Sequence, residues 1–288
     1  MAVIIDGKAL SLQIKDELKG KIADFETKYG RKIALAVVLV GENPASCVYV
    51  KNKIKAAEYV GIKSLSFNLP ENSAEEDVIS LVKSLSDDKT VDGILVQLPL
   101  PKHINEEKIL SLIPPEKDVD GFTAENIGNT VLFKDCIYSC TPFGVMHMLK
   151  STGIDLCGKH AVVVGRSNIV GKPVAMMLLK ENCTVTMCHS KTANLADITK
   201  QADILIAAVG KPKMITADMV KDGATVIDVG INRTENGLCG DVDFDAVKEK
   251  AAYISPVPGG VGPMTIAMLM QNAYKCALRR ENGCRSNA

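Results

Sequence analysis

Two residues with proton-exchanging side chains stand four positions apart in the first half of the chain. Tyr49 and Lys53 lie in a segment that predicts a helix, and this spacing places both side chains on one helical face. An amine and a phenol are groups that can serve in acid–base chemistry. The same pair is also typical of a solvated helix surface, so its interpretation depends on what lies opposite.

A polar amide elsewhere in the chain favours an acid–base role for Tyr49 and Lys53 over a solvated helix surface. Gln97 interrupts the carboxyl end of an otherwise apolar strand predicted over residues 93–98. A polar side chain in a buried strand needs a hydrogen-bond partner. Ligands of open α/β sheets bind outside the carboxyl ends of the strands, where Gln97 and Gly41 are both expected.

Two further segments carry candidate site residues. Asp118 and Asp120 add carboxylates after the strand of Gln97, although a turn would also explain them. The late stretch from Pro256 to Thr265 contains three prolines and three glycines. Such a loop lets backbone approach a flat ligand closely, and a rigid connection into the last helix is the alternative interpretation.

A glycine turn in the second half predicts a dinucleotide site. The strand at residues 161–164 runs into Gly165-Arg166-Ser167 and reaches a helix at Gly171. In such a turn, backbone N–H groups and the positive end of the helix approach a pyrophosphate. Ser167 occupies the place of the second glycine of the usual fingerprint, so the turn alone is a weak signal and a plain strand–helix connector remains an alternative.

The residues after the next strand favour NADP over NAD. Enzymes that use NAD usually place a carboxylate there for the ribose 2′-hydroxyl. Here the strand at residues 184–188 is followed by His189, Ser190 and Lys191, without a carboxylate. These residues, together with Arg166, suit a doubly charged 2′-phosphate. The alternative interpretation is that Ser190 and Lys191 are ordinary solvent-exposed residues of a loop.

The elements that must position these residues alternate along the chain. Apolar residues at helical spacing predict a helix over residues 14–29, and a continuous aliphatic run predicts a buried strand over 33–40. Ser73 and Glu76 have the spacing of a capping box. Further helices are predicted near 44–59, after 73, and at 106–112, 141–151, 171–180 and 265–278, the last followed by a frayed tail. Further strands are predicted at 64–69, 160–164, 203–208, 225–229 and 253–255.

This alternation predicts two α/β domains with parallel sheets. We expect an N-terminal domain over residues 1–140, joined by a C-terminal helix at about 266–288. A second, Rossmann-like domain with a parallel sheet is expected over residues 141–265.

Composition excludes several other classes of protein. Lys plus Arg and Asp plus Glu both count 34, and aromatic residues make up only 4% of the chain, so we expect neither a nucleic-acid partner nor a membrane partner. Nine cysteines lack paired metal-ligand spacing. We therefore expect no metal site and a cytoplasmic protein with reduced thiols.

Several motifs together resemble one family, the bifunctional methylenetetrahydrofolate dehydrogenase/cyclohydrolases. The resemblance runs along the whole chain, and the glycine turn that departs from the general fingerprint has this family's own form. The motifs are Tyr49–Lys53, Val96–Pro101, Lys117–Phe122, Cys140–Gly144, Gly165–Ser167, Val170–Pro173, Cys188–Ser190 and Pro256–Thr265.

The resemblance implies two reactions in one cleft between the domains. A hydride would pass from 5,10-methylenetetrahydrofolate to NADP⁺, and water would then open the methenyl cation to 10-formyltetrahydrofolate. It implies catalytic or substrate-binding roles for Lys53 as the key group, Tyr49 against the folate, Gln97 beside Lys53, and Asp120 on the pterin. It also implies substrate contacts at Val96, Leu98, Pro258, Gly259, Gly260, Val261 and Gly262, and cofactor contacts at Gly165, Arg166, Ser167, Ser190 and Ile231.

Further expectations follow from the resemblance and from simple electrostatics. A protonated amine beside a cationic intermediate costs Coulomb energy, so we expect Lys53 to be neutral for part of the cycle. The resemblance also implies a cytoplasmic homodimer that serves one-carbon metabolism and purine biosynthesis. Two alternatives stay open: another two-domain NADP-dependent dehydrogenase, of the shikimate or amino-acid type, and a non-catalytic NADP-binding sensor.

Overall fold

The computed structural model describes residues 1–235 and 237–286, with side chains through residue 283. The helices, in chain order, are α1 (Gly7–Tyr29), α2 (Pro44–Val60), α3 (Glu75–Asp87), α4 (Glu106–Leu110), α5 (Ala124–Val131), α6 (Cys140–Ser151), α7 (Gly171–Lys180), α8 (Leu195–Thr199), α9 (Phe244–Val247) and α10 (Val261–Ser286). The strands are β1 (Val3–Ile4), β2 (Ala34–Val40), β3 (Lys63–Leu69), β4 (Gly93–Val96), β5 (His160–Val164), β6 (Thr184–Cys188), β7 (Ile204–Ala207), β8 (Thr225–Asp228), β9 (Asn232–Thr234), β10 (Gly237–Cys239) and β11 (Tyr253–Ile254).

The chain folds into two compact units. Unit 1 comprises residues 1–11, 130–134 and 141–265, and unit 2 comprises residues 12–129, 135–140 and 266–288. The last part of α10 thus belongs to unit 2, and the first eleven residues belong to unit 1. The domain boundaries at residues 140 and 265 stay a prediction.

Unit 1 is built on a six-stranded sheet with the order β1-β11-β8-β7-β5-β6. Its strand pairs are parallel, as predicted from the alternation of strands and helices. The central strands β7 and β8 are buried along their whole length, because helices cover both faces of a parallel sheet. β1 pairs with β11, so a segment at the start of the sequence completes the sheet.

Unit 2 is built on a three-stranded parallel sheet with the order β3-β2-β4. The seven residues of β2 are all buried, which explains why its sequence is continuously aliphatic rather than alternating. Side chains of α3 and of the segment 100–113 pack against the sheet and form the core. Asn43 caps α2 by accepting hydrogen bonds from the N–H groups of Ala45 and Ser46.

The sequence predicts the bounds of α7 and β6 correctly, whereas the predicted capping box of α3 is wrong. The N-cap of α3 is Ala74, which makes no side-chain cap hydrogen bond. The N–H of Ser73 donates to the carbonyl of Pro70 at 3.1 Å, so a turn ends at Ser73 and the helix begins two residues later.

Several predicted ends also differ from the structure, among them those of β4 and α10. β4 ends at Val96, and Gln97 adds one more backbone hydrogen bond by donating to the Val38 carbonyl at 2.9 Å. α10 begins at Val261 rather than at residue 265, and it continues to Ser286, where a frayed tail was predicted. Pro263 is tolerated there because it lies in the first helical turn, where its missing N–H leaves no helical bond unmade.

A buried carboxylate fastens α10 to the amino ends of the strands of unit 2. The side chain of Asp92 is 0% exposed and accepts hydrogen bonds at 2.8 Å from both Arg31 and Arg280. It also accepts the N–H of Ala34, the first residue of β2, at 2.9 Å. Along the described residues, no helix combines the length and apolar character that a membrane span requires.

We predict that Asp92→Ala lowers the free energy of unfolding by about 3–5 kcal/mol, because it leaves two guanidinium groups without their shared carboxylate. The matched control is Asp135→Ala. Asp135 also pairs with α10, through Lys275 and Arg279, but its side chain is 76% exposed, so its removal should cost about 0–1 kcal/mol. Urea unfolding checks both values, and equal losses in the two variants would contradict the assignment.

Candidate active site

The amine of Lys53 is held inside unit 2 by the amide of Gln97. Lys53 lies on α2 and is only 7% exposed. Its Nζ donates a hydrogen bond of 3.0 Å to Gln97 Oε1, while Gln97 Nε2 donates to the Leu98 carbonyl at 2.6 Å. The amide that interrupts an apolar run therefore has the partner that burial demands, and this partner is the candidate catalytic amine.

Tyr49 lies one helical turn before Lys53 and is half-buried. Its removal from water raises the pKa of the phenol, which stays protonated at neutral pH. Two other predicted substrate residues flank Gln97. Val96 is buried in the core of unit 2, so only its backbone could meet a ligand, whereas Leu98 is partly exposed.

Asp118 and Asp120 have different surroundings. The buried carboxylate of Asp118 holds a turn by accepting hydrogen bonds from Gly121 N, Thr123 N and Asn126 Nδ2, at 3.0, 2.8 and 3.0 Å. The turn interpretation thus fits Asp118. Burial raises the pKa of the Asp120 carboxyl, and the positive charge of Lys53 opposes that rise. Asp120 is therefore close enough to interact electrostatically with the candidate catalytic amine.

Asn272, which the sequence did not single out, holds the backbone beside Asp120. It is a buried residue of α10, and its Nδ2 donates to the carbonyls of Val119 and Tyr138 at 2.8 and 2.9 Å. The thiol of Cys140 donates to the same Val119 carbonyl at 3.3 Å. Burial raises the pKa of this thiol well above its ordinary value, so Cys140 remains a neutral thiol.

A cleft lies at the carboxyl ends of β2 and β4. Its volume is about 390 Å³. The lining residues are Val40, Gly41, Glu42, Asn43, Glu71 and Pro99 to His103. The cleft therefore lies where the topology of a parallel sheet places a ligand, next to the segment that carries Gln97.

The glycine turn of unit 1 has the geometry that a pyrophosphate site requires. Gly165 has φ +133°, and a Cβ there would lie 2.2 Å from the Ala208 carbonyl oxygen. A Cβ on Gly171, the first residue of α7, would lie 2.2 Å from the Gly165 carbonyl oxygen. Ser167 Oγ accepts hydrogen bonds from the N–H groups of Val170 and Gly171, at 3.1 and 3.2 Å, and so closes the turn. The turn therefore brings bare backbone to the amino end of α7, as a dinucleotide needs.

The other predicted cofactor residues present their side chains to solvent in unit 1. Arg166 follows the glycine turn directly, and Ser190 follows β6, the neighbouring strand. Both are exposed, as a site for a 2′-phosphate must be before it is filled. Ile231, after β8, is 46% exposed, and its Cδ1 would be the nearest atom to a Cβ on Gly262, at 3.8 Å.

The late glycines have packing reasons of their own. Gly259 has φ +108°, and its carbonyl accepts the N–H of Lys8 at 2.9 Å. A Cβ on Gly7 would lie 2.0 Å from the Gly260 carbonyl oxygen. A Cβ on Gly260 itself would lie 2.5 Å from the Pro256 carbonyl oxygen, so the rigid-connection interpretation explains this glycine. Val261 and Gly262 form the first turn of α10 rather than a loop.

The site residues fall into two groups. Unit 2 brings together Lys53, Gln97 and Asp120, with Tyr49 one turn along α2. Unit 1 contains the glycine turn, Ser190, Ile231 and residues 258–262. Within the described part of the chain, no group of three or more His, Cys, Asp or Glu side chains is arranged to hold a metal ion.

These features define a class, the two-unit α/β proteins that carry a dinucleotide-type glycine turn on a parallel sheet. Residues 5–120 match the family model for the tetrahydrofolate dehydrogenase/cyclohydrolase catalytic domain, and residues 139–281 match the model for the NAD(P)-binding domain of the same family. The chain belongs to the tetrahydrofolate dehydrogenase/cyclohydrolase family, which confirms the resemblance seen in the sequence.

Relatives agree along nearly the whole chain. The bifunctional protein FolD of Agathobacter rectalis is 58% identical, over 97% of this chain and 100% of the relative. A crystal structure of the bifunctional FolD enzyme from Campylobacter jejuni is similar, with a TM-score of 0.95, 52% identity, and coverage of 97% of this chain and 100% of that one. The Trypanosoma brucei enzyme, complexed with NADP cofactor and inhibitor, has a TM-score of 0.93 and 40% identity, over 96% and 98% of the two chains.

We predict that Gly165→Ala weakens NADP⁺ binding by tenfold or more, because the new Cβ would meet the Ala208 carbonyl in a backbone conformation that costs about 1–3 kcal/mol for other residues. Gly158→Ala is the matched control: Gly158 also has a positive φ, +73°, but nothing lies within 4 Å of its Cβ position. Titration of NADPH fluorescence measures both affinities. Undiminished binding by Gly165→Ala would show that this turn does not hold the cofactor.

Proposed function

We propose that this protein oxidises 5,10-methylenetetrahydrofolate to 5,10-methenyltetrahydrofolate with NADP⁺, and then hydrolyses the methenyl compound to 10-formyltetrahydrofolate. The observation that carries the proposal is the hydrogen bond between the buried amine of Lys53 and the amide of Gln97, at the carboxyl end of β4. Membership of the dehydrogenase/cyclohydrolase family supports both activities.

In the oxidation, the residues of the chain position the two reactants. NADP⁺ supplies the hydride acceptor when bound. Gly165, Arg166, Ser167, Ser190 and Ile231 hold the cofactor, with Arg166 and Ser190 on the 2′-phosphate. Tyr49 packs against the folate, and Asp120 accepts hydrogen bonds from the pterin. The backbone of Val96 and Leu98 and the segment 258–262 complete the substrate contacts. The C–H bond of the methylene bridge breaks, and the carbon bridge becomes a cation.

In the hydrolysis, Lys53 works on the water that attacks this cation. The water oxygen forms a bond to the bridging carbon, and Lys53 Nζ, when neutral, accepts a proton from the water. The bond from this carbon to N5 then breaks, N5 takes the hydroxyl proton, and the carbon becomes the formyl group on N10. One proton is released in total, which balances the loss of the positive charge.

Gln97 fixes where this proton transfer takes place. Its Oε1 accepts a hydrogen bond from Lys53 in either protonation state, so the amine stays in place as it gains and loses a proton. The positive charge of Lys53 in turn opposes the rise that burial causes in the pKa of Asp120, the residue proposed to bind the pterin.

We also propose the wider setting that the family resemblance implies. The protein acts as a cytoplasmic homodimer in one-carbon metabolism and provides formyl groups for purine biosynthesis. A folate is its small-molecule substrate, and neither nucleic acid nor membrane takes part.

The test of this function is an assay of the purified protein with methylenetetrahydrofolate and either NADP⁺ or NAD⁺. We expect turnover with a preference for NADP⁺, detected by the absorbance band of the methenyl product, which dehydrogenases of the shikimate or amino-acid type do not produce. NADPH binding without turnover would instead favour the non-catalytic sensor. A preference for NAD⁺ would contradict the roles of Arg166 and Ser190.

We predict that Lys53→Met reduces cyclohydrolase activity at least about 100-fold, because a positioned acid–base group contributes a factor of that order or more. NADPH affinity should stay unchanged, since Lys53 belongs to unit 2 and the glycine turn to unit 1. Lys55→Met is the matched control, as Lys55 is an exposed lysine on the same helix. Full hydrolysis by Lys53→Met would remove this amine from the mechanism.

A further inference from the structure

A buried carboxylate at the carboxyl ends of the strands of unit 1 has no role in the mechanism above. Asp241 is 0% exposed. It accepts hydrogen bonds from the consecutive backbone N–H groups of Val209, Gly210 and Lys211, at 2.6, 2.9 and 2.9 Å. It also accepts one from Asn232 Nδ2 at 2.9 Å. One carboxylate thus joins the segment after β7 to the segment after β8.

Asp228 supports this arrangement from the end of β8. Its carboxylate accepts the N–H groups of Gly230, Asp241 and Val242, at 3.0, 2.9 and 2.9 Å. Burial raises the pKa of Asp228 to about 6, while these N–H groups lower it and the neighbouring Asp241 raises it. Asp228 therefore fixes the backbone of Asp241 itself.

Two glycines provide the space for these carboxylates. A Cβ on Gly230 would lie 2.2 Å from Asp241 Cγ, and a Cβ on Gly240 would lie 1.8 Å from Asp228 Oδ2. Backbone and carboxylates are therefore packed without room for a side chain, and residues 208–211 and 230–232 are held in one arrangement.

The location of this cluster relates it to the cofactor. β7 and β8 follow β5, the strand of the glycine turn, on the side away from β6. In a dinucleotide fold the ribose that carries the adenine contacts the end of the second strand, here β6, so the other half of the cofactor crosses the ends of the strands on the opposite side. The Ala208 carbonyl meets the glycine turn at Gly165, and Ile231 lies in the second segment that Asp241 holds.

We propose that Asp241 is a positioning residue for the cofactor: it anchors residues 208–211 and 230–232 so that they form the surface for the nicotinamide half of NADP. Three consecutive N–H groups would otherwise make a concave site for an anion. Because Asp241 fills that site, the cofactor pyrophosphate is directed to the glycine turn. The inference rests on the proposed function, in which the oxidation needs NADP⁺ and the hydrolysis does not.

The test is the variant Asp241→Asn in the full chain. Asparagine has nearly the same size, but its NH₂ group cannot accept the hydrogen bonds that a carboxylate oxygen accepts. We expect the KM for NADP⁺ and the Kd for NADPH to rise about tenfold or more, as for the loss of about 1.4 kcal/mol. Hydrolysis of methenyltetrahydrofolate, measured without cofactor, should stay within about twofold. A residue that only supports the overall fold would lower both activities together.

The matched control is Asp203→Asn, at the amino ends of the strands of the same sheet. Asp203 precedes β7, accepts the N–H of His160 at 3.0 Å and pairs with Lys221 at 2.6 Å. This variant loses hydrogen bonds of a similar kind, but its affinity for NADPH should equal that of the unaltered protein. If Asp203→Asn weakens NADPH binding as much as Asp241→Asn does, the proposal is overturned.

Three further outcomes are decisive. Unchanged NADPH affinity in Asp241→Asn contradicts the proposal. If that variant does not fold, Asn232→Ala decides, because it removes a single hydrogen bond to Asp241: weaker NADPH binding supports the anchor, and unchanged binding overturns it. If the unaltered protein binds NADPH but turns over no folate, the proposed function fails, while the NADPH titrations of the variants still test Asp241.

Discussion

A lysine amine removed from water must keep a hydrogen-bond acceptor, and this requirement organises the site of unit 2. The acceptor comes from Gln97, the first residue after β4, whose own backbone still bonds to β2. The bond to β2, the central strand, fixes the position of the amide along the sheet, and α2 fixes the position of the amine. Asp120 interacts with the same charge from a turn that Asp118 holds. A shift of β4 by one residue would turn the amide to the opposite face of the sheet and leave the amine without this acceptor, because the side chains of a strand alternate between its faces.

Much of the fold could be predicted from the sequence where apolar residues form long, unbroken patterns. The fully buried β2 and the helix α7 are examples, since burial on both faces and helical spacing each leave a clear trace. The ends of elements were harder, because they depend on contacts outside the local segment. Ser73 and Glu76 have the right spacing for a capping box, but the turn that bonds Ser73 to Pro70 prevents it. Val261 reads as part of a glycine-rich loop, yet it is buried and helical.

The candidate site divides in the same way. Gln97 could be found because a polar side chain in an apolar run demands an explanation, and the same rule would have found Asp228 at the end of β8. The sequence around Asp241 and Asn272 contains no pattern that indicates their roles. Each is buried and satisfied by backbone groups distant in sequence, so only the folded chain reveals what it holds in place. Residues that position others are thus harder to read from the sequence than residues with reactive groups.

The pairing of β1 with β11 has a consequence for biosynthesis. Val3 and Ile4 can pair with their neighbouring strand only when Tyr253 and Ile254 have been made. At the usual speed of translation, the backbone groups of the first strand remain without their strand partner for on the order of 10 to 50 seconds. The β1 edge of the larger sheet can therefore form only near the end of synthesis, after β11 has been made.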